Sequence, residues 1–432
     1  MAEILIASTP PIGHVGPLLN VARGLVDRGD RVSFLTSARH GDRIREVGAH
    51  PYPLPAGADI DETRLNLDLP GRERTSGVRR IDFDVTRVFV RPMADQAGAL
   101  AKVMSAQRFD AVIFDTTFFG ILPLLLGDRA ARPPMLAYST MPLLITSRDT
   151  APPGLGLPPS ATPAGRIRNG VLNLLTHKVL LRGSHRAANQ QLDLLDERRL
   201  PLFVLDSGLL ADHYISPTVP EFEYPRSDLP SCIRFVGAVH PAPAQDFLPP
   251  PWWSELDGDR PVIHVTQGTV DNQDLGRLLE PTIEALDGED VIVVATTGGR
   301  DVTSIKCRIP ANTYVAEYIP HDQLLPKVNV MVTNGGYGAV QRALASGVPL
   351  VVAGDTEDKP EVAARVAWSG AGVDLRTGTP RPAAVRSAVR TVLGDDRYLR
   401  RARALEVAFA RRDGVAETAA LIDELIADEE RV

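Results

Sequence analysis

Cysteine is scarce in this chain of 432 residues: only Cys232 and Cys307 occur. Two distant thiols make neither a disulfide framework nor a metal-ligating motif, so a reducing, cytoplasmic setting is expected. Basic excess is also lacking. Lys and Arg number 47 against 54 Asp and Glu, a formal net charge of -7, which gives no reason to expect nucleic acid or an acidic membrane surface as partner. No apolar run approaches the roughly 20 residues of a spanning helix. The longest candidate, 118–126, is short and carries Pro123. The opening residues form a short apolar strand with no basic stretch before it, which is not the pattern of a signal peptide. Stable membrane insertion is therefore not expected. Two nucleotide-binding patterns are missing as well. Gly13-x-x-Gly16 lacks the third glycine of a dinucleotide fingerprint, and there is no Walker loop. The carboxylate pairs Asp59/Asp61 and Asp82/Asp84 lie in polar stretches with no buried strand before them. They read as solvated surface, and no metal site is expected.

What is present fits a soluble α/β protein. Apolar content is 44% and charged content 23%, ordinary values for a globular chain, and the length suggests two domains. Two halves each begin with an apolar strand that runs into a glycine turn: Ile4 to Ala7 before Pro11-Ile12-Gly13, and Val262 to Val265 before Gln267-Gly268-Thr269. In the first half, a helix from about Pro17 to Arg28 ends at Gly29. Strands follow at 31–36, 111–114 and 135–138. In the second half, strands are expected at 262–266, 291–295, 313–315, 328–332 and 350–353, with helices between most of them. A stiff, proline-rich linker, 239–259, separates the halves. The expected division is 1–238, 260–395, and closing helices over 396–432 that pack back toward the first domain. Segments 60–90 and 140–185 are candidates to line a substrate pocket.

The densest signal lies at 333–361. A buried strand ends at Thr333-Asn334-Gly335-Gly336, and a helix starts near Ala339 and stops at Gly347. A second strand then leads into an acidic loop with Asp355, Glu357, Asp358 and Lys359, and Pro360 opens the next helix. In such units ligands sit at the carboxyl ends of the strands. Backbone N–H groups of a glycine loop at a helix start can hold a phosphate. A tight turn that binds nothing explains the glycines equally well. His14 follows the first strand, and Asp115 ends another strand, so both fall at one sheet edge. A carboxylate there can hold the imidazole in one tautomer and stabilise its charged form. Helix or turn capping is the simpler alternative for each residue taken alone.

Taken together, these residues resemble the UDP-glycosyltransferase-type enzymes, and most of all the bacterial macrolide and natural-product glycosyltransferases. The resemblance implies the GT-B fold, two Rossmann-like domains whose parallel sheets face each other across a deep cleft. It implies an inverting, metal-independent hexosyltransferase with His14 as base and Asp115 as its partner. Gly13 belongs to the catalytic-histidine turn. Gln267, Gly268 and Thr269 resemble the loop that touches the pyrophosphate. Tyr318 stands where an aromatic stacks on the base, followed by His321. Asn334, Gly335, Gly336 and Gly338 stand where the phosphates bind, and Asp358 and Lys359 where the donor sugar is held. Relatives usually carry Trp at 318, Gln at 321, His at 334 and Gln at 359. The implied donor is a UDP- or dTDP-sugar acting as co-substrate, with no resident cofactor. The implied acceptor is a bulky apolar natural product such as a macrolide, ansamycin or phenolic. A monomer or homodimer is expected. A sugar-nucleotide epimerase of the same fold and a non-catalytic activator of another glycosyltransferase are the rival readings.

Overall fold

The computed structural model describes residues 1–75, 77–244 and 246–429. The first sheet contains β1 (Glu3–Ala7), β2 (Arg31–Thr36), β3 (His50–Pro53), β4 (Ala111–Asp115), β5 (Met135–Tyr138), β6 (His213–Ser216) and β7 (Ile233–Phe235), in the order β3-β2-β1-β4-β5-β6-β7. The second contains β8 (Val262–Thr266), β9 (Ile292–Thr296), β10 (Thr313–Ala316), β11 (Val330–Thr333), β12 (Leu350–Val352) and β13 (Gly372–Asp374), in the order β10-β9-β8-β11-β12-β13. All neighbouring strands run parallel. Alternating side chains enter different cores. Leu5 and Ala7 of β1 join one cluster, and Ile4 and Ile6 join the cluster on the opposite face. That is the period of two expected for a strand buried on both sides.

Four short strands, β3, β6, β7 and β13, were not expected from the sequence. β3 reads His-Pro-Tyr-Pro and lies at the sheet edge, where a missing N–H can face away from the ladder. The first helix spans Ile12–Asp27 and not 17–28, so Pro17 lies inside it. The helix after β11 begins at Tyr337. Of the two carboxylate pairs, Asp82/Asp84 is not solvated surface but partly buried and engaged, whereas Asp61 keeps 39% of its side chain accessible. Asp82 accepts from the Ser184 backbone N–H at 2.8 Å, Asp84 pairs with Arg72 at 2.8 Å, and Asp61 caps Thr63 at 2.9 Å.

The proline-rich stretch is anchored on the second sheet, with Trp252 stacked on Tyr314 of β10 at 4.8 Å between ring centroids. The helix Asp396–Ala410 contributes Ala402 and Leu405 to the core of the second domain. The final helix, Gly414–Glu429, returns to the first, where Ala419 and Ile422 join the core around Leu18 and Val21. An ion pair between Arg28 and Asp423 at 2.8 Å supports this return.

A buried charge cluster joins the two domains. Arg365, on the helix Lys359–Ser369, pairs with Glu223 at 2.8 Å and Glu361 at 3.1 Å, and it donates to the Leu143 carbonyl at 3.1 Å. Arg226 adds a second cation to Glu223 at 3.3 Å. Burial would push the Glu223 carboxyl up, but Arg365 and Arg226 bring it below its ordinary range. Such a pair is specific in geometry, and breaking it would leave a charge stranded.

Candidate active site

In each sheet the strand order reverses beside the first strand, between β1 and β4 and between β8 and β11. Chains leaving these neighbours diverge and open a crevice at the carboxyl edge. The register places Ala7 opposite Phe114 and Thr333 opposite Thr266. The residues that follow therefore meet across each crevice.

His14 fills the first crevice. It sits in the first turn of its helix, where its N–H bonds the Pro11 carbonyl at 2.9 Å. The helix begins as soon as Pro11 supplies an extended N-cap. His14 Nδ1 lies 2.9 Å from Asp115 Oδ2, with side-chain exposures of 12% and 0%. A carboxylate only accepts, so Nδ1 carries the proton and Nε2 keeps the free lone pair. Asp115 is fully engaged. Thr117 donates from its hydroxyl at 2.7 Å and from its N–H at 3.1 Å, and the Thr9 hydroxyl donates as well. Thr140 Oγ1 stands 3.0 Å from His14 Nδ1, and the Phe89 ring lies 5.5 Å from the imidazole. Burial pulls the His14 pKa down, but the Asp115 charge and hydrogen bond outweigh it and leave the pKa above its ordinary value. Burial would raise Asp115, but His14, Thr9 and Thr117 bring it below the usual carboxylate range. Thr9, Thr117 and Thr140 were not picked from the sequence. The available signal was the hydroxyl side chains close behind β1, β4 and β5.

The second crevice holds the glycine loops. Asn334 donates to the Gln267 carbonyl at 2.6 Å, which ties the loop after β11 to the loop after β8. The Gln267 side chain turns inward, donating to the Asp274 carbonyl and accepting from the Leu278 and Leu279 N–H groups at 3.1 and 2.9 Å. Its amide is thus committed to holding the loop. Thr269 and Gly338 are exposed. Gly335 has φ 87°, and an added Cβ would meet Val352 at 2.8 Å, so glycine is required there. Gly336 has room for a Cβ, whose nearest neighbour would be Asn334 at 3.9 Å. Neither packing nor positive φ demands glycine at 336, which suits close approach by a ligand. Ala339 is the first helical N–H to reach a carbonyl, that of Gly336 at 3.1 Å. The N–H groups of 336–338 precede it at the positive end of the helix.

Arg342, one turn on, donates to the Gly338 carbonyl at 3.3 Å and forms no ion pair among the described residues. Burial lowers its pKa, and Tyr318 and Asp322 oppose that effect. It was not picked from the sequence, where it reads as a helix-surface cation. Tyr318 is 58% exposed. His321 packs against His264 with ring centroids 5.5 Å apart. Burial holds both imidazoles neutral, with His264 pushed down to about 4.

The acidic loop closes the second crevice. Lys359 is buried. It pairs with Glu357 and approaches Asp271 at 3.5 Å, while Asp271 accepts from the Thr356 hydroxyl at 2.8 Å. Lys359 thus staples the acidic loop to the loop after β8; it is not a solvated helix start. Asp358 stands at the N-cap position of the same helix, with no capping bond from its side chain. Burial, assisted by Glu357, pushes its pKa up to about 6 against the pull of Lys359 and His14. The charge of Asp358 in turn helps to raise His14. The two crevices therefore face each other within electrostatic reach.

Two Rossmann-like domains, one holding a His–Asp pair within electrostatic reach of the acidic loop of the other, define a glycosyltransferase of the GT-B class. The chain belongs to the UDP-glycosyltransferase-type family of natural-product glycosyltransferases. Residues 277–425 match the family model described as Erythromycin biosynthesis protein CIII-like, C-terminal domain. The chain is 43% identical over 427 residues to 4'-demethylrebeccamycin synthase of Lentzea aerocolonigenes, covering 98% of this chain and 100% of that protein. It is 35% identical to UDP-glycosyltransferase 2 of Phaeomoniella chlamydospora, covering 98% and 96%. Among solved structures, the calicheamicin glycosyltransferase CalG4 superposes with a TM-score of 0.75 at 19% identity, over 99% of this chain and 98% of that one. Among the described residues, no helix is long and apolar enough to cross a membrane.

Proposed function

We propose that the protein is an inverting glycosyltransferase that moves a hexose from a UDP- or dTDP-sugar to a hydroxyl of a bulky apolar natural product. The observation that carries this reading is the His14–Asp115 pair at 2.9 Å, within electrostatic reach of Asp358 and Glu357 in the acidic loop of the other domain. His14 Nε2 takes the proton from the acceptor hydroxyl, and Asp115 stabilises the imidazolium. The oxygen attacks the anomeric carbon as the bond to the nucleoside diphosphate breaks. A single in-line displacement inverts that carbon. Charge growing on the departing diphosphate meets the N–H groups of 336–338, the helix dipole and Arg342. These groups supply positive charge without a metal ion, so we read the reaction as metal-independent. Tyr318 stacks on the base, and Asp358 accepts from hydroxyls of the sugar. The relatives, a 4'-demethylrebeccamycin synthase and a UDP-glycosyltransferase, support this substrate class.

The test is transfer from UDP-glucose and dTDP-sugars to a panel of apolar phenols and macrolides, with nucleoside diphosphate release measured beside product. His14→Ala should lose about 10²–10⁴-fold in kcat while binding UDP as before, and activity should persist in EDTA. Diphosphate release that ignores the acceptor would point to an epimerase. Near-normal turnover of His14→Ala would remove that residue from the mechanism.

A further inference from the structure

One helix of the first domain is inside out. The segment from Pro163 is helical through Leu175, continues as a wider turn over Thr176–Leu180, and resumes at Arg182. Its polar residues face inward. Asn169 and Asn173 are buried, donating to the Arg148 and Ser147 carbonyls at 3.1 Å each. Its apolar residues face outward: Ile167, Val171, Leu174 and Val179 are 61–70% exposed, and Leu175 is 43% exposed. At spacings of three and four these side chains form one stripe. An amphipathic helix normally buries that stripe. Here the asparagine bonds to the loop after β5 hold it outward.

The charge beside the stripe decides what covers it. From Pro163 to Arg186 the chain has five Lys and Arg residues and no acidic residue, on a protein whose net charge is -7. Arg166 is engaged by Asp149 at 2.8 Å, and Arg168 by Asn169 at 2.9 Å. Lys178, Arg182 and Arg186 are exposed and form no ion pair among the described residues. A second copy laid on this face would bring like charges together. An exposed apolar stripe flanked by unpaired cations matches an interfacial helix, whose apolar side enters the acyl boundary while its cations meet anionic headgroups.

We propose that the face formed by Ile167, Val171, Leu174, Leu175 and Val179, with Lys178, Arg182 and Arg186 beside it, docks the protein reversibly on an anionic phospholipid bilayer. The overall negative charge argued against such a partner, but a local basic face escapes an average over the chain. The inference does not depend on the proposed reaction, because the test reads binding without turnover.

The test is co-sedimentation of the full chain with vesicles of phosphatidylcholine alone and of phosphatidylcholine and phosphatidylglycerol in equal parts. Binding is expected to the anionic vesicles, weak or absent on the neutral ones, and lost as salt rises. Each cation removed should weaken binding about fivefold, so the triple change Lys178→Ser, Arg182→Ser and Arg186→Ser should weaken it about a hundredfold. The triple change Val171→Ser, Leu174→Ser and Val179→Ser should abolish it, with the wild-type melting curve kept because exposed side chains are replaced. Failure of the wild type to bind anionic vesicles, or equal binding to both compositions, overturns the proposal without any variant. A solution dimer abolished by the apolar triple would give the face to a second copy. Loss of transfer to a water-soluble phenol in that variant would give it to the acceptor pocket. Either result overturns the membrane assignment.

Discussion

Asp115→Asn separates a catalytic pair from a structural one. The carboxylate accepts from His14, Thr9 and Thr117. An asparagine keeps the shape and one acceptor oxygen, and the threonine hydroxyls can rotate to donate or accept, so the fold should survive. What disappears is a charge-assisted hydrogen bond to the imidazolium, worth about 1.5–3 kcal/mol. That predicts a loss of about 10–150-fold in kcat with little change in UDP affinity. The pH profile adds a readout that a purely structural role would not move. In the wild type, the Asp115 charge and hydrogen bond hold the His14 pKa above 6.5 despite burial. The free base, and with it kcat/KM, should therefore fall with unit slope as pH drops through that raised value. In the Asp115→Asn variant only the burial effect remains large, so the acid limb should move below 6.5. Stability follows the same linkage. The His14 contribution is fully present below the unfolded value near 6.5 and is lost as pH rises through the folded value. The depressed Asp115 carboxyl contributes above the unfolded value near 3.9, and that contribution is lost as pH falls through its folded value. An acid limb that stays in place in the variant, or a kcat within about threefold of wild type, would refute the assigned pair.

Three further outcomes test the donor side. Gly335→Ala forces a side chain into positive φ and against Val352, so denaturant unfolding should show a loss of about 1–3 kcal/mol; Gly336→Ala, with space for its methyl, should unfold like wild type yet bind UDP more weakly, and unchanged UDP affinity would deny the close approach. Arg342→Ala should raise the donor KM about 10–150-fold if it holds a phosphate by a charge-assisted bond, and an unchanged KM would return it to the helix surface. Lys359→Gln leaves Glu357 and Asp271 without their shared cation; because both reach water, the loss should be about 1–3 kcal/mol in thermal unfolding, with an altered ranking of kcat/KM among UDP-glucose, UDP-galactose and a dTDP-sugar, and an unaltered ranking would show that the staple does not shape the sugar site.

The architecture was readable where periodicity is strong. Strand β8 fell on 262–266 as expected, and β5 on 135–138. Both are short, fully buried strands, β5 an apolar run and β8 built on Val262, Ile263 and Val265, and burial on two faces is the signature of a parallel sheet. β3 and β13 were missed because edge strands are short and need no such pattern. The start of the first helix was misplaced because Pro17 looks like a first-turn residue, whereas Pro11 supplies the extended conformation that opens the helix. The position of His14 survived the error, because a one-turn shift leaves the imidazole at the same sheet edge.

Residue identity locates a side chain along the chain, but its partners are set by the fold, and the acidic loop turns on that difference. Asp355, Glu357, Asp358 and Lys359 read as one polar punctuation, yet the structure gives them different tasks. Arg277 takes Asp355, Lys359 takes Glu357 and reaches Asp271, and Asp358 is left to face His14. Arg277 lies 78 positions from Asp355, and Asp271 lies 85 from Thr356 in the same loop, where no local rule can assign them. The same applies to Glu223, whose cation Arg365 lies 142 residues downstream. The consequence for function is selective. The neighbours of Asp358 are neutralised by fixed cations, so its carboxylate is the one in the loop that remains free for a ligand. Burial also keeps its pKa at about 6, so a sugar hydroxyl that donates to it must favour the ionised form and draw that pKa down.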